Sequence, residues 1–368
     1  MRNIAGALKR LSVMMTIVLV LAGLCACQGS GAAAQGPGSV QPTITSGSID
    51  GDSYRIAMPP SWNGTLVLYS HGYRDPGTPN TVPPLKINRQ VQNWFFSHGY
   101  ALAAASYGSG WAVEQAFRDQ IALLDLFTQR FGRPQRTIAW GGSMGGLISV
   151  SLAEQFPDRI SGALSECGAL AGAVATANVA LDTAFAFKIL LAPTSSLHLV
   201  QITDPSTNLQ LAQQVFSQAQ QTPQGRARQA LVAALFDLVG WNDPMSAEPA
   251  PTDYSALLNN QLTVAKARGM SYAFGPFRVD LEQRSGGNPP WNTGVNYQEE
   301  LIHSRDYNEV IALYQQAGLN LAQDLKNLQQ APHIVPDRQA VSYLSHNVVL
   351  TGKLKVPVIT LHTTGDTD

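Results

Sequence analysis

Short apolar runs alternate along the chain with longer stretches in which apolar residues recur at three- and four-residue steps. The apolar runs are residues 65–69, 100–107, 137–140, 160–164 and 356–362. Their length is typical of strands that are buried on both faces. Residues 88–98 and 113–131 place apolar side chains on one helical face. The alternation predicts an α/β fold with a mostly parallel sheet flanked by helices. Residues 43–58 predict a hairpin at the sheet edge.

The pattern changes at about residue 171. Strand signals become rare, and helical stretches rich in Ala, Gln and Leu dominate. These stretches are residues 209–219, 227–239, 254–267 and 298–317. Residues 274–297 contain paired Gly and Pro residues and are predicted as a loop. We interpret the whole block as a helical lid inserted into the sheet domain. Its Gln-rich helix faces fit solvated surface as well as a binding surface.

One turn carries the strongest chemical signal. Residues 141–146 read Gly-Gly-Ser-Met-Gly-Gly, a G-x-S-x-G motif between an apolar run and a stretch that can form a helix. Ser143 is expected in a strained conformation, and a Cβ on the flanking glycines would collide with the adjacent strand or helix. The N–H groups at the start of the helix would face a developing oxyanion. The alternative is a Gly-rich turn that binds nothing.

With this motif the chain resembles the α/β-hydrolase superfamily, in its serine esterase, lipase and peptidase branch. The resemblance implies that Ser143 is the nucleophile. It also implies that backbone N–H groups of Met144 and Tyr73 form the oxyanion hole. Tyr73 follows a His-Gly pair after the run at residues 65–69, and Gly72 is the alternative to it.

The resemblance also assigns the triad acid. Asp366 matches it, in a Gly-Asp loop after the last apolar run, with Asp368 and Glu166 as alternatives. In this superfamily the histidine follows the acid after one more helix and strand. None of the seven histidines has that position. We therefore expect a C-terminally truncated hydrolase whose triad histidine lies beyond residue 368. Such a chain is expected to be weakly active alone, because a serine hydroxyl is a poor nucleophile without a base.

Other chemistry is less strongly indicated. Trp111 and Glu166 are candidates for substrate contact, because active residues gather at the carboxyl ends of parallel strands. His71 could act as a base, but the resemblance implies that it shapes the loop after the run at residues 65–69. No cofactor is expected, since the Gly-Ser-Gly at residues 108–110 lacks the third glycine of a dinucleotide fingerprint. No metal is expected, because the histidines lack metal-ligand spacing.

The composition indicates which kinds of binding partner to expect. The net charge of −1 and the charged fraction of 13% give no electrostatic case for nucleic acid, and a small-molecule or lipid-like ester substrate is expected. Cys167 is the only cysteine after the first 27 residues, so no disulfide is expected there. The predicted organisation is a signal peptide (1–27), a flexible linker (28–42), the first part of the hydrolase core (43–170), the helical lid (171–342) and the incomplete second part of the core (343–368).

The N-terminus predicts export. Three basic residues in the first ten precede an apolar segment at residues 11–24, which is short for a bilayer span. Residues 24–27 read Leu-Cys-Ala-Cys and resemble a bacterial lipobox, which would place a lipid and membrane attachment on Cys27. Ordinary cleavage near Ala26 or within residues 32–34 is the alternative, so the protein is expected to be secreted or lipid-anchored at the bacterial cell envelope.

The sequence thus predicts an exported serine hydrolase that cleaves carboxylic esters through an acyl-enzyme on Ser143. An exported serine peptidase of the same fold is one alternative. A binding protein built on a hydrolase scaffold is another, and it is favoured by the lack of a suitably placed histidine.

Overall fold

The strands form one mixed sheet. A computed structural model describes residues 41–80, 85, 88–243, 245–347 and 350–363. Its strands are β1 (Thr43–Ile49), β2 (Asp52–Met58), β3 (Thr65–Ser70), β4 (Ala101–Ala105), β5 (Arg136–Gly142), β6 (Gly162–Glu166) and β7 (Val358–Leu361). The spatial order is β1-β2-β4-β3-β5-β6-β7. Only the β1–β2 and β2–β4 pairs are antiparallel, which confirms the predicted fold class and the edge hairpin.

Three helices flank the first six strands. They are α1 (Arg89–Ser97), α2 (Val113–Phe131) and α3 (Met144–Gln155). The Asn88 side chain begins α1 by accepting a hydrogen bond from the Gln90 backbone N–H (2.8 Å). Ten residues of α3 are buried, which explains why its sequence is apolar on every face.

The central strands are covered on both faces. Leu66 and Leu68 face the sheet core, the cluster formed with α2 and α3 that includes Phe127, Leu147 and Ile148. Val67, between these two leucines, faces a separate cluster formed with α1. Successive side chains of a strand point to opposite faces, so a strand that is covered on both sides reads as a continuous apolar run.

Helices fill the chain between β6 and β7. They are α4 (Ala173–Leu191), α5 (Pro205–Ala219), α6 (Pro223–Leu235), α7 (Tyr254–Val264), α8 (Met270–Phe274), α9 (Pro276–Ser285), α10 (Tyr297–His303), α11 (Tyr307–Gln316), α12 (Leu321–Gln330) and α13 (Arg338–Asn347). A π-helical turn, Ala265–Gly269, joins α7 to α8. Most of these helices pack around a second cluster, the helical core, which includes Phe185, Phe216, Leu231, Leu258 and Tyr314. The lid boundary predicted after residue 342 falls within α13, and the domain division stays a prediction.

Two predictions in this block were wrong. Residues 274–297 are not one loop, because they contain α9: Pro276 occupies the first turn, and Gly286 ends the helix in the left-handed conformation (φ 73°). Residues 298–317 are not one helix, because the chain turns at Ser304 between α10 and α11. The apolar pattern continues through that break because both helices face the helical core.

Helix α4 connects the two cores. Ala173 and Ala177 pack in the sheet core, whereas Leu181 and Phe185 pack in the helical core. By length and composition α4 is able to cross a membrane, and it is the one such helix in the described part of the chain. Nine of its residues are buried within the protein, as is usual for a core helix.

Candidate active site

Ser143 lies at the turn between β5 and α3 in a sparsely populated backbone conformation. Its φ is 53° and its ψ is −127°. Such a conformation costs about 1–3 kcal/mol for a residue with a Cβ and persists only where the surroundings enforce it. The Ser143 N–H donates to the Glu166 carbonyl (2.9 Å), and the Ser143 carbonyl accepts from the Gly146 N–H (2.9 Å). The side chain is half-buried at the amino end of α3.

The glycines on either side of Ser143 are required because the backbone at the end of β3 approaches them closely. A Cβ on Gly141 would lie 2.5 Å from the Ser70 carbonyl oxygen. A Cβ on Gly145 would overlap the same oxygen and lie 2.8 Å from the His71 carbonyl oxygen. The end of β3 therefore presses directly against the turn that presents Ser143, as the sequence predicted.

The loop after β3 lies beside Ser143. A Cβ on Gly72 would be 3.6 Å from the Ser143 Cβ, so the backbone that leads into Tyr73 borders the site. Met144 is the first residue of α3, and its side chain is buried. This placement brings together the two segments predicted to form the oxyanion hole. The assignment of the N–H groups of Met144 and Tyr73 remains a prediction.

His71 shapes this loop through backbone contacts. Its buried ring stacks on Tyr107 with 3.9 Å between ring centroids. Nδ1 lies 2.7 Å from the Gly72 carbonyl oxygen, and Nε2 lies 3.3 Å from the Tyr107 carbonyl oxygen. The Tyr107 hydroxyl donates back to the His71 carbonyl (2.5 Å). Both ring nitrogens thus lie against backbone carbonyls.

Arg74 ties the loops after β3 and β4 together. Its Nη2 donates to the carbonyls of Ser106 (3.2 Å) and Tyr107 (2.9 Å). The Gly110 N–H in turn donates to the Arg74 carbonyl (2.8 Å). The conformation of the loop that contains Tyr73 therefore depends on the loop that contains Trp111.

Aromatic side chains form a wall next to this loop. The Tyr73 ring lies 5.5 Å from the rings of Tyr272 and Phe277, and Phe277 lies 5.9 Å from Trp111. Burial raises the pKa of the Tyr73 hydroxyl, which is neutral at physiological pH. Trp111, predicted to contact substrate, is 6% exposed within this wall.

The aromatic wall depends on α9, which sequence reasoning missed. Asp280 of α9 accepts a hydrogen bond from the Trp111 N–H (2.7 Å) and pairs with Arg284 (2.9 Å). Arg284 also donates to the Ser109 carbonyl (2.6 Å). Two sequence signals could have revealed this helix: Pro followed ten residues later by Gly, and opposite charges four residues apart.

Glu166, the second predicted substrate contact, ends β6 next to the turn that contains Ser143. It pairs with Gly142 across the sheet. Burial raises the pKa of its half-buried carboxyl group. On its other side Glu166 pairs with Leu361, so the carboxyl end of β7 lies at the same sheet edge.

The remaining predicted site residues are the triad acid, the triad base and the lipidation site. Asp366, Asp368 and the lipidation candidate Cys27 lie outside the described residues. All seven histidines lie within the described residues, and no hydrogen bond from Ser143 Oγ to any of them is found there. The same part of the chain contains no group of three or more His, Cys, Asp or Glu side chains suited to a metal ion.

The chain is similar to several known proteins. Residues 71–238, from the loop after β3 through Ser143 to just beyond α6, match the family model of the alpha/beta hydrolase fold. The chain is 29% identical over 353 residues to an o-phthalyl amidase of Xanthobacter agilis, covering 86% of this chain and 74% of that protein.

Solved structures also match parts of the chain. An acylaminoacyl peptidase of Pyrococcus horikoshii matches with a TM-score of 0.28 and 16% identity, over 41% of this chain and 25% of that one. The S-formylglutathione hydrolase of Staphylococcus aureus matches with a TM-score of 0.29 and 14% identity, over 37% of this chain and 63% of that one. This chain thus covers less than two thirds of the length of both.

The family match includes the segments that meet at Ser143, and the amidase relative is aligned along most of the chain. The strand order and the strained serine between β5 and α3 agree with that match. The chain has the α/β-hydrolase fold, and residues 71–238 are similar to the alpha/beta hydrolase family.

Proposed function

We propose that the protein is a serine hydrolase in which Ser143 attacks a carboxylic carbonyl carbon. The observation that carries this proposal is the strained conformation of Ser143 at the amino end of α3, with the β3 loop beside it. A strained residue that the surroundings enforce is typical of a functional turn. The hydrolase fold of this chain and its similarity to an o-phthalyl amidase support the same reaction class.

In the proposed reaction these groups act in two steps. Ser143 Oγ forms a bond to the carbonyl carbon and loses its proton to a base, and the alcohol or amine leaves with a proton. Water then cleaves the acyl-enzyme and regenerates the serine. In this proposal the N–H groups of Met144 and Tyr73 stabilise the oxyanion, and Asp366 orients the base. Trp111 and Glu166 contact the substrate.

Carboxylic esters are the first candidate substrates. An alkoxide or phenoxide is a better leaving group than an amine, so ester cleavage depends less on a well-placed proton donor. Amides are the second candidate, because the relative is named as an o-phthalyl amidase. We therefore propose that aromatic esters and o-phthalyl amides be compared as substrates, with peptides as the third class.

Labelling by a fluorophosphonate tests the nucleophile. We expect the probe to form an adduct on Ser143, located by mass spectrometry, and Ser143→Ala to abolish it. The matched control is Ser151→Ala, which changes a buried serine of α3 whose hydroxyl donates a hydrogen bond to the Leu147 carbonyl (2.8 Å). A folded full-length protein that is not labelled would favour the binding-protein alternative, and labelling of Ser143→Ala equal to that of the wild type would show that Ser143 is not the nucleophile.

We also propose that the protein is exported, with Cys27 as the site of lipid attachment. The basic start, the apolar segment at residues 11–24 and the lipobox-like residues 24–27 support this proposal. Expression in a bacterium fed a labelled fatty acid tests it. We expect Cys27→Ser to abolish labelling and Cys25→Ser to retain it. Equal labelling of both variants would argue against Cys27, and an unlabelled but shortened chain would indicate ordinary cleavage.

A further inference from the structure

A buried glutamine of α2 holds the carboxyl end of β3, the strand that leads into the loop beside Ser143. The side chain of Gln120 is fully buried. Its Nε2 donates hydrogen bonds to the Tyr69 carbonyl (2.9 Å) and to Ser70 Oγ (2.8 Å). The amide cannot be turned over, because its oxygen would then face the Tyr69 carbonyl oxygen. One side chain therefore fixes two successive residues at the end of the strand.

Ser70 packs directly against the turn that contains Ser143. Its side chain is fully buried, and the strand pairs it with Gly141. Its carbonyl oxygen would lie 2.5 Å from a Cβ on Gly141 and would overlap a Cβ on Gly145. Close-packed backbone atoms leave no free space for one segment to move alone, so a displacement of Ser70 would displace the turn with it.

Side chains also hold the backbone carbonyls of the next two residues. The His71 carbonyl accepts a hydrogen bond from the Tyr107 hydroxyl (2.5 Å), and the Gly72 carbonyl oxygen lies 2.7 Å from Nδ1 of His71. In a trans peptide the N–H points away from the carbonyl of the same peptide unit, so the Gly72 carbonyl sets the direction of the Tyr73 N–H. Buried side chains thus hold the backbone continuously from the end of β3 to the Tyr73 N–H.

We propose that Gln120 is a positioning residue for the reaction at Ser143. It fixes Ser70, and through Ser70 it sets the distance between the β3 loop and the serine. Backbone N–H groups stabilise an oxyanion only if they lie about 2.7–3.1 Å from its position in the transition state. A misplacement of about 1 Å can lower a rate about a hundredfold. This inference rests on the proposed function, because it requires Ser143 to be the nucleophile and the Tyr73 N–H to be an oxyanion donor.

Gln229 of α6 provides a matched comparison away from the site. It is 2% exposed, and its Nε2 donates to the Phe216 carbonyl (2.9 Å). Its Oε1, like that of Gln120, has no hydrogen-bond partner within the described residues. Its neighbour Leu231 belongs to the helical core. Loss of either amide is therefore expected to lower stability to a similar degree, whereas only Gln120 bonds to the strand that borders Ser143.

Fluorophosphonate labelling of full-length Gln120→Met tests the proposal, because methionine keeps the length of the side chain and removes both donors. We expect the maximal labelling rate at saturating probe to fall about tenfold or more. The probe concentration that gives half of this rate is expected to stay near the wild-type value, since the lost interaction acts mainly in the transition state. Gln229→Met is expected to lower the Tm by a similar amount and to keep the wild-type rate.

Two outcomes would overturn the positioning role alone: a wild-type rate in Gln120→Met, or an equal loss of rate in Gln229→Met, which would indicate general destabilisation. A wild-type protein that is not labelled on Ser143 would instead contradict the proposed function, and this inference with it. If Gln120→Met does not fold, Ser70→Ala gives the same decision. It removes one of the two partners of Gln120 and is expected to slow labelling by a smaller factor, whereas a wild-type rate would overturn the proposal.

Discussion

At the scale of single residues, the conformation of Ser143 depends on the neighbouring glycines, whose lack of a Cβ lets the backbone of β3 come close. We predict that Gly145→Ala disrupts the turn that contains Ser143, because the added Cβ would overlap the Ser70 carbonyl oxygen and lie 2.8 Å from the His71 carbonyl oxygen. Both obstacles are backbone atoms and cannot rotate away. The expected cost is about 1–3 kcal/mol, with loss of fluorophosphonate labelling. Thermal denaturation and labelling measure the two effects.

Gly269→Ala is the matched control for that prediction. Gly269 has a helical backbone (φ −54°), and a Cβ there would meet no atom within 4 Å. We expect this variant to be neutral or more stable by up to about 1 kcal/mol, with normal labelling. Normal labelling of Gly145→Ala would contradict the steric account of the turn.

The buried carboxyl group of Asp119 in α2 is expected to make the stability of the protein depend on pH. Burial, and then a hydrogen bond to Asp52 together with its charge, raise the pKa of Asp119 to about 7. Asp52 is also buried and accepts hydrogen bonds from Asn80 and Gln115. The folded state therefore keeps a proton that the unfolded state loses near pH 4. Its contribution to stability is complete below about pH 4 and is lost as the pH rises to about 7.

Urea denaturation at pH 5 and pH 8 tests the titration of Asp119. Asp119→Asn cannot ionise, so we expect it to be more stable than the wild type at pH 8 by about 1 kcal/mol or more, with a smaller difference at pH 5. Asp125→Asn on the same helix removes an exposed ion pair with Arg159 and is expected to change stability little at either pH. An Asp119→Asn effect that is the same at both pH values would contradict the proposed titration.

At the scale of elements, α9 holds the loops that border the candidate active site. We predict that Asp280→Ala lowers the rate of fluorophosphonate labelling about tenfold, because small displacements of a catalytic loop are costly. Without Asp280, the Trp111 N–H and the Arg284 guanidinium lose their shared partner, and Phe277 loses its fixed position against Tyr73. Labelling kinetics measure the effect, and the site of the adduct is expected to stay on Ser143.

Conservative and remote variants separate positioning from general destabilisation. Asp280→Asn keeps an oxygen acceptor for the Trp111 N–H and is expected to recover part of the labelling rate. Arg118→Ala removes an exposed ion pair with Glu114 on α2 and is expected to label normally. An Asp280→Ala protein with a normal labelling rate would show that α9 does not position these loops.

Helices whose apolar residues recur at helical steps could be predicted from the sequence. Helices that are marked mainly by the residues at their ends could not. α2 was predicted with the bounds that the structure has, because its apolar residues recur at helical steps over five turns. α9 was missed because its Pro and Gly residues were interpreted as loop signals when they mark its first turn and its end. The contact of Asp280 with Trp111 joins residues 169 positions apart, and no local pattern encodes it.

At the scale of the whole molecule, the sequence predicted the sheet and the helical block but not how they connect. Strand alternation and the G-x-S-x-G turn sufficed for the fold class and for the position of Ser143. The packing of α4 in both cores depends on which face of an almost uniformly apolar helix meets each core. A sequence that is apolar on every face contains no such information.

The shared helix α4 predicts that the two cores unfold together. Phe185 is 1% exposed in the helical core and stacks on Tyr297 with 5.7 Å between ring centroids. Phe185→Ala is expected to cost about 3–5 kcal/mol through the cavity that it leaves. Loss of the helical core would unravel α4 and expose Ala177 in the sheet core, so the sheet should unfold in the same transition.

Tryptophan fluorescence and circular dichroism together show whether the sheet core and the helical core unfold in one transition. Four of the six tryptophans (Trp62, Trp94, Trp111 and Trp140) precede the helical block, so their fluorescence reports mainly on the sheet. We expect Phe185→Ala to lower the midpoint by fluorescence and by circular dichroism equally. Val179→Ala, at a position on α4 that is 45% exposed, should leave both midpoints near the wild type. If Phe185→Ala lowers only the circular-dichroism midpoint, the helical core unfolds independently, and α4 does not couple it to the sheet that presents Ser143.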